Sequence, residues 1–202
     1  MYELVEIFES LQGEGRNTGR PCVFIRFAGC NLSCPWCDTD VRKRFSVSLD
    51  ELLAELRQYR AKSVILTGGE PTLVKEMPEL VAALKKNGYW IGVETNGTGA
   101  ADWLSFVDYV ACSPKAEFAE FYKSGRETAS PLREADEVRV VASSEKVVDF
   151  CKWIRGKIAA TDYYVSPCDH GGKIDFATAK SVLSQLDGWS LSVQLHKILG
   201  FK

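Results

Sequence analysis

From Ser48 onward the sequence alternates short apolar runs of strand character with amphipathic runs of helical period, and this order constrains the fold more than any single residue. Ser63 to Thr67, Tyr89 to Val93, Phe106 to Cys112, Glu137 to Val141, Asp162 to Val165 and Leu191 to Leu195 read as strands. Ser48-Leu49-Asp50-Glu51 is a capping box opening a helix to about Tyr59, with Leu49, Leu52, Leu53 and Leu56 on its buried face. Further helices are expected from about Lys75 to Gly88, from Glu145 to about Lys157 and from Phe176 to Leu186. Strand-helix alternation implies parallel strands with right-handed crossovers, and chemistry at the C-terminal ends of the strands. Ahead of it, Glu3 to Phe8 reads as an edge strand. Pro21 to Ala28 reads as a strand with Val23, Ile25 and Phe27 on one face and Cys22, Phe24, Arg26 and Ala28 on the other. With about six to seven mostly parallel strands and short or missing helices, the expectation is an α/β fold, an incomplete (β/α) barrel, in a single domain over 1–202. The stretch richest in chain breakers, Lys123 to Pro131, is too short and mixed to separate domains.

If the strand ends line one site, they should be polar or rich in glycine. Four clearly are: Gly68-Gly69-Glu70-Pro71, Glu94-Thr95-Asn96-Gly97, Ser113-Pro114-Lys115 and Gln194-Leu195-His196-Lys197. Ser166-Pro167-Cys168-Asp169 is a weaker fifth, and the Glu137 strand has no such ending. Ser10-Leu11-Gln12-Gly13-Glu14-Gly15 adds a loop in which glycines let backbone approach a ligand beside an amide and a carboxylate. Arg26 sits in an apolar strand, so its charge needs a partner, either an anionic ligand group or a structural salt bridge.

The densest chemistry lies at Gly29-Cys30-Asn31-Leu32-Ser33-Cys34-Pro35-Trp36-Cys37-Asp38-Thr39, between a strand and an expected helix, where three thiols fall within eight positions. Closed structural metal sites take four protein ligands, so three leave one position open. Pro35 and Asn31 discourage a regular helix that would splay the thiols. A zinc knuckle with a fourth ligand elsewhere is the plainer alternative. The other cysteines, Cys22, Cys112, Cys151 and Cys168, read as buried small hydrophobes, and seven in all is an odd number without a disulfide-like array. A net charge of −2 with scattered Lys and Arg argues against a nucleic-acid surface and for a small-molecule partner. No segment approaches a membrane span or a secretory leader, which gives a cytoplasmic expectation.

The C-x3-C-x2-C spacing of Cys30, Cys34 and Cys37 resembles that of the radical S-adenosylmethionine (SAM) enzymes. The resemblance implies a partial barrel and a 4Fe-4S cluster held by these three cysteines, with the fourth iron chelated by the methionine moiety of SAM. It also implies that Gly68, Gly69 and Glu70 receive the SAM amino group, and that Asn96, Ser113 and Lys115 lie near its carboxylate and ribose. Leu11-Gln12-Gly13-Glu14-Gly15, Cys37-Asp38-Thr39, Ser113-Pro114-Lys115 and Gln194-Leu195-His196 together are similar to the 7-carboxy-7-deazaguanine synthase family over nearly the whole chain. That similarity implies conversion of 6-carboxy-5,6,7,8-tetrahydropterin to 7-carboxy-7-deazaguanine and ammonia through a radical derived from SAM.

It further implies that Gln12, Gly13 and Glu14 contact the pterin's amide and amine edge, Arg26 its carboxylate, and Thr67 and His196 other parts of it. Gln194 and His196 are expected to share one face of the last strand. Mg2+ is expected on Thr39, with Asp38 and Asp40 as alternative ligands. Thr39 could instead cap the helix after the cysteine loop, and His196 could be a hydrogen-bonded core residue. A homodimer and an electron donor such as flavodoxin also follow from the resemblance. Ser166 stands where related sequences often carry Gln, and Gly200-Phe201-Lys202 leaves little tail to close the pocket. The competing readings are a glycyl-radical-enzyme activase, which shares the cysteine loop but needs no polar set such as Gln12, Glu14 and Arg26, and a noncatalytic metal module using Cys168 as fourth ligand.

Overall fold

The computed structural model of the chain describes residues 1–123 and 130–201; most of the Lys123 to Pro131 stretch therefore lies outside the described residues. In chain order the elements are β1 (Tyr2–Leu11), β2 (Pro21–Phe27), β3 (Phe45–Val47), α1 (Leu49–Leu56), β4 (Ser63–Gly68), α2 (Met77–Lys86), β5 (Trp90–Thr95) and β6 (Tyr109–Cys112). They continue with β7 (Glu134–Ala142), α3 (Val147–Arg155), β8 (Ala159–Asp169), β9 (Ile174–Asp175), α4 (Phe176–Leu183), β10 (Ser190–Leu191) and α5 (Leu195–Leu199). The sheet runs β3-β1-β2-β4-β5-β6-β7-β8-β10 and does not close, with β9 pairing only with β8. From β2 to β10 every neighbouring pair is parallel, seven strands in all, so the expected incomplete barrel is what forms.

Alternation along the strands separates two faces. Val23, Ile25 and Phe27 of β2 join Val64, Leu66, Ile91, Val93, Val138 and Val140 in the apolar core, against Leu52 and Leu56 of α1, Leu80 and Leu84 of α2, Ile154 of α3 and Val182 of α4. Each such side chain, fully buried, contributes on the order of 1.5–3 kcal/mol, so this face holds the sheet together. The opposite face, with Phe24, Arg26, Thr67 and Glu94, is left to line a cavity. The capping box forms as expected: Ser48 Oγ accepts from Glu51 N–H, while Glu51 accepts from Ser48 N–H.

Four expectations are corrected. The first strand is not at the edge, because β3 pairs antiparallel outside it, Tyr2 opposite Val47. No helix follows the cysteine loop; the chain runs irregularly into β3, so Thr39 caps nothing. The Phe106 strand begins only at Tyr109, since Asp102–Phe106 form a short 3-10 turn. The last strand stops at Leu191, and His196 lies in helix α5 with Gln194 as its N-cap. The reason is a long-range contact: after Ser192 N–H donates to Val165 C=O, Leu195 N–H donates to Gly13 C=O and draws the chain away from the sheet.

Candidate active site

The cavity lies where the parallel strands end and measures about 990 Å³, the upper end for a small-molecule site. Cys30, Cys34 and Cys37, Gly68 and Gly69, Asn96, Ser113, Lys115 and Ser166 line it together with Gln12, Gly13, Glu14, Arg26, Thr67, Thr39, Gln194 and His196. Residues from seven separate sequence motifs thus share one space. Another cavity of about 490 Å³, beside α3 and lined by Phe150 and Trp153, contains none of these motif residues.

The cysteine wall is built by backbone. Gly69 N–H donates to Phe27 C=O and Glu70 N–H to Gly29 C=O, so the glycine turn after β4 is stitched to the start of the cysteine loop. A Cβ on Gly69 would sit 1.5 Å from Gly29 O, which leaves glycine as the residue that permits this approach. Asn96 Nδ2 donates to Asn31 Oδ1 at 3.0 Å and lies 3.9 Å from Cys30 Sγ. Burial pushes the Cys30 and Cys34 thiols up, and the Lys115 ammonium pulls both back toward thiolate. Among the described residues no three His, Cys, Asp or Glu side chains converge as a single ion requires. A cubane asks something different, since each thiolate goes to its own iron. Three soft donors, one cation and a glycine cradle on one cavity wall fit a 4Fe-4S cluster with SAM.

Glu70 contributes its backbone to that wall, while its side chain does not line the cavity. It is buried, and its carboxylate accepts hydrogen bonds from Thr72 N–H, Thr72 Oγ1, Thr95 Oγ1 and Asn96 N–H at 2.7–3.0 Å. That set ties the ends of β4 and β5 together. Ser113 Oγ donates to Arg139 C=O, and the Lys115 ammonium lies 5.2 Å from the Trp36 ring. Thr39 Oγ1 touches Asp38 Oδ1 at 3.3 Å and accepts from Arg26 Nη1 at 3.4 Å. Arg26 Nε donates to Glu6 at 2.8 Å, so the salt-bridge alternative for this arginine is present in the structure.

The facing wall is built by charged side chains. Gln12 Oε1 accepts from Glu14 N–H, and Gln12 Nε2 donates to Glu94 Oε1 at 2.8 Å. Glu14 and Glu94 both pair with Arg139. Neither Glu94 nor Arg139 was expected in the site. Glu94 was visible only as part of a turn motif, and the available signal for Arg139 was Glu137-Val-Arg139-Val, two charges on one face of a strand with no polar ending.

The C-terminal helix closes this wall. A Cβ on Gly13 would fall 2.3 Å from His196 Nδ1, so the imidazole lies directly on the glycine. Burial pulls the His196 pKa down, with Glu14 opposing and Lys197 adding to the fall. Lys197 Nζ pairs with Asp38 beside the cysteine loop and with Asp169 at the end of β8, tying α5 to both. Burial works to raise the Asp38 carboxyl, but the Lys197 contact outweighs it and holds the group low.

Comparison with known proteins agrees with this geometry. Residues 24–159 match the model of the radical SAM superfamily. The chain is 44% identical to a 7-carboxy-7-deazaguanine synthase of Haemophilus influenzae, with all of this chain and 94% of that protein covered. The chain belongs to the 7-carboxy-7-deazaguanine synthase family of radical SAM enzymes. A Neisseria meningitidis 7-carboxy-7-deazaguanine synthase is 43% identical over the whole chain and 94% of its own length. The crystal structure of QueE from Escherichia coli superposes with a TM-score of 0.74 at 26% identity, covering 96% of this chain and 94% of that one. Membership in this synthase family brings a 4Fe-4S cluster and SAM, for which the cysteine wall is suited.

Proposed function

We propose that the chain, acting as one catalytic domain over residues 1–202, converts 6-carboxy-5,6,7,8-tetrahydropterin to 7-carboxy-7-deazaguanine with loss of ammonia, on a route to queuosine and related 7-deazapurines. The observation that carries this reading is the single cavity whose cysteine wall faces Gln12, Glu14 and Glu94. When bound, the reduced cluster and SAM supply the one-electron chemistry that takes hydrogen from the substrate. The chain's own residues select and hold that substrate. Gln12, Glu14 and the backbone at Gly13 would meet the pyrimidine edge, whose N–H groups need acceptors. Arg26 has five donors, of which Nε serves Glu6 and Nη1 Thr39, and it would meet the substrate carboxylate with the rest of its fork. Thr67, opposite Arg26 in the β2–β4 register, lies beside that carboxylate position. His196 would cover the ring from the Gly13 side and exclude water.

Gly68 and Gly69 expose backbone toward the SAM position, with Asn96, Ser113 and Lys115 beside it. Glu70 fixes these turns, and Ser166 adds a hydroxyl from β8. Mg2+ fits Thr39 with Asp38 nearby, because this ion keeps several waters and needs few protein oxygens. The reading includes a homodimer, a cytoplasmic setting and a flavodoxin-type electron donor. An activase acting on a protein would gain nothing from the acceptor set at Gln12, Glu14 and Glu94.

The test is anaerobic incubation of the reconstituted, reduced protein with SAM, Mg2+ and 6-carboxytetrahydropterin, with products followed by mass spectrometry. Deazaguanine carboxylate should appear, and omission of Mg2+ should slow it. If SAM is cleaved and the pterin comes back unchanged, the substrate assignment is wrong.

A further inference from the structure

Arg139 has no role in the chemistry above, yet it is the largest fully buried side chain, 1% exposed, in the middle of the cavity-side face of β7. Its fork gathers carboxylates from three parts of the chain. Nη1 pairs with Glu14 after β1, Nη2 with Glu94 at the end of β5, and Nε lies 2.9 Å from Glu137 Oε1 on its own strand, too poorly aligned to be a hydrogen bond. Glu137 is sealed at 2% exposure and is satisfied by Arg16 N–H and the Tyr109 hydroxyl. Glu14 and Glu94 keep 20% and 21% exposure and open into the cavity.

We propose that Arg139 is a positioning residue that holds the Glu14 and Glu94 carboxylates side by side, making an acceptor wall that selects a heterocycle edge carrying adjacent N–H donors. The inference rests on the pterin reading of this cavity and deepens it. Carboxylates so close, with Glu137 behind them, repel one another and need a shared cation to stay together. The guanidinium supplies it: burial pushes its pKa down, Glu14 pushes back, and an arginine keeps its charge in proteins. Its planar fork also offers a separate nitrogen to each carboxylate, Nη1 to Glu14 and Nη2 to Glu94, a geometry that a lysine cannot impose. Glu14 and Glu94, both open to the cavity, keep lone pairs beyond those that Arg139 uses for donors on a ligand. Besides these, Tyr164 faces Arg139, Arg16 and Asp162 lie near Glu137, and His196 lies near Glu14.

The test uses the cluster-loaded protein with SAM present and 6-carboxypterin, the fluorescent oxidised analogue, as a nonreacting probe. Binding is measured for the wild type, Glu14→Gln, Arg139→Gln and Arg139→Lys, alongside KM for SAM. Arg139→Gln should weaken the probe about tenfold or more near neutral pH while leaving KM for SAM within about twofold. Arg139→Lys should recover part of the binding. Unaltered probe binding in Arg139→Gln, or parallel loss of probe and SAM, would overturn the proposal. Should Arg139→Gln fail to fold, Arg139→Lys decides: about three- to tenfold weaker probe with SAM unaffected supports it, and no weakening overturns it. A wild type that does not bind the probe removes the pterin reading itself. A wild type that binds, with Glu14→Gln weakened and Arg139→Gln not, removes only the role of Arg139.

Discussion

The two walls of the cavity are made by different means. The cysteine wall is shaped by backbone: Gly68 and Gly69 are stitched to Phe27 and Gly29, and the thiols ride on an irregular loop. The opposite wall is shaped by ionised side chains, with Arg139 holding Glu14 and Glu94 and Lys197 holding Asp38 and Asp169. Backbone turns leave marks at fixed spacing in a sequence, because only certain residues permit them. Ion pairs between distant segments leave almost none. The same division governs how each wall fails: a change in the first alters what is assembled there, and a change in the second alters affinity.

The largest effect that separates the walls is expected from Cys34→Ala. It should abolish SAM cleavage and sharply lower bound iron while 6-carboxypterin still binds; loss of the probe as well would show that the walls are not independent. Gly69→Ala comes next. Its Cβ would press on Gly29 O, so thermal unfolding should show a loss of about 1–3 kcal/mol, with iron content falling too. Normal stability and iron in this variant would mean the turn is slack. Lys197→Ala removes two partly exposed ion pairs and should cost about 1 kcal/mol or less in stability. The loosened α5 should nevertheless raise the pterin KM by about threefold to tenfold, as misplacement of a positioning group does. Steady-state kinetics with an unchanged KM would deny α5 its role.

The smallest effect concerns His196. Burial, with Lys197 and Arg26 adding to it and Glu14 and Asp38 opposing, lowers its pKa in the folded protein below the unfolded value of 6.5. Its unfolded form therefore binds a proton more readily, so the neutral ring's contribution is complete above the unfolded pKa. It is lost as pH falls from about 6.5 toward the folded value. Melting curves from about pH 7 down to about pH 5 should thus fall less steeply for His196→Asn than for the wild type. Equal slopes would mean the ring is not buried neutral.

How much of this was legible follows the same division. Parallel strands, the capping box at Ser48 and the shared cavity of Cys30, Cys34, Cys37, Gly68 and Gly69 were readable because each rests on local periodicity or turn chemistry. The Glu70 carboxylate takes hydrogen bonds from Thr72, Thr95 and Asn96, and no local pattern announces a network that joins two strand ends. Leu191 to Leu195 had a strand's apolar content, yet Gly13 C=O, far away in the sequence, captures Leu195 N–H and a helix begins. Strand β3 was too short and too exposed to stand out. Arg139 looked like one polar position in an alternating strand, since its three partners lie on β5, on β7 itself and in the loop after β1.

The central claim is that one wall generates reactivity and the other directs it onto the pterin. The most direct test is the ratio of 5'-deoxyadenosine to 7-carboxy-7-deazaguanine formed by the wild type and by Glu14→Gln, with the reduced cluster checked by electron paramagnetic resonance. The account predicts a low ratio for the wild type, whose substrate wall couples SAM cleavage to product, and a ratio several-fold higher for Glu14→Gln with an unchanged cluster signal. If both products decline together in Glu14→Gln at constant ratio, the two walls do not divide the work in this way.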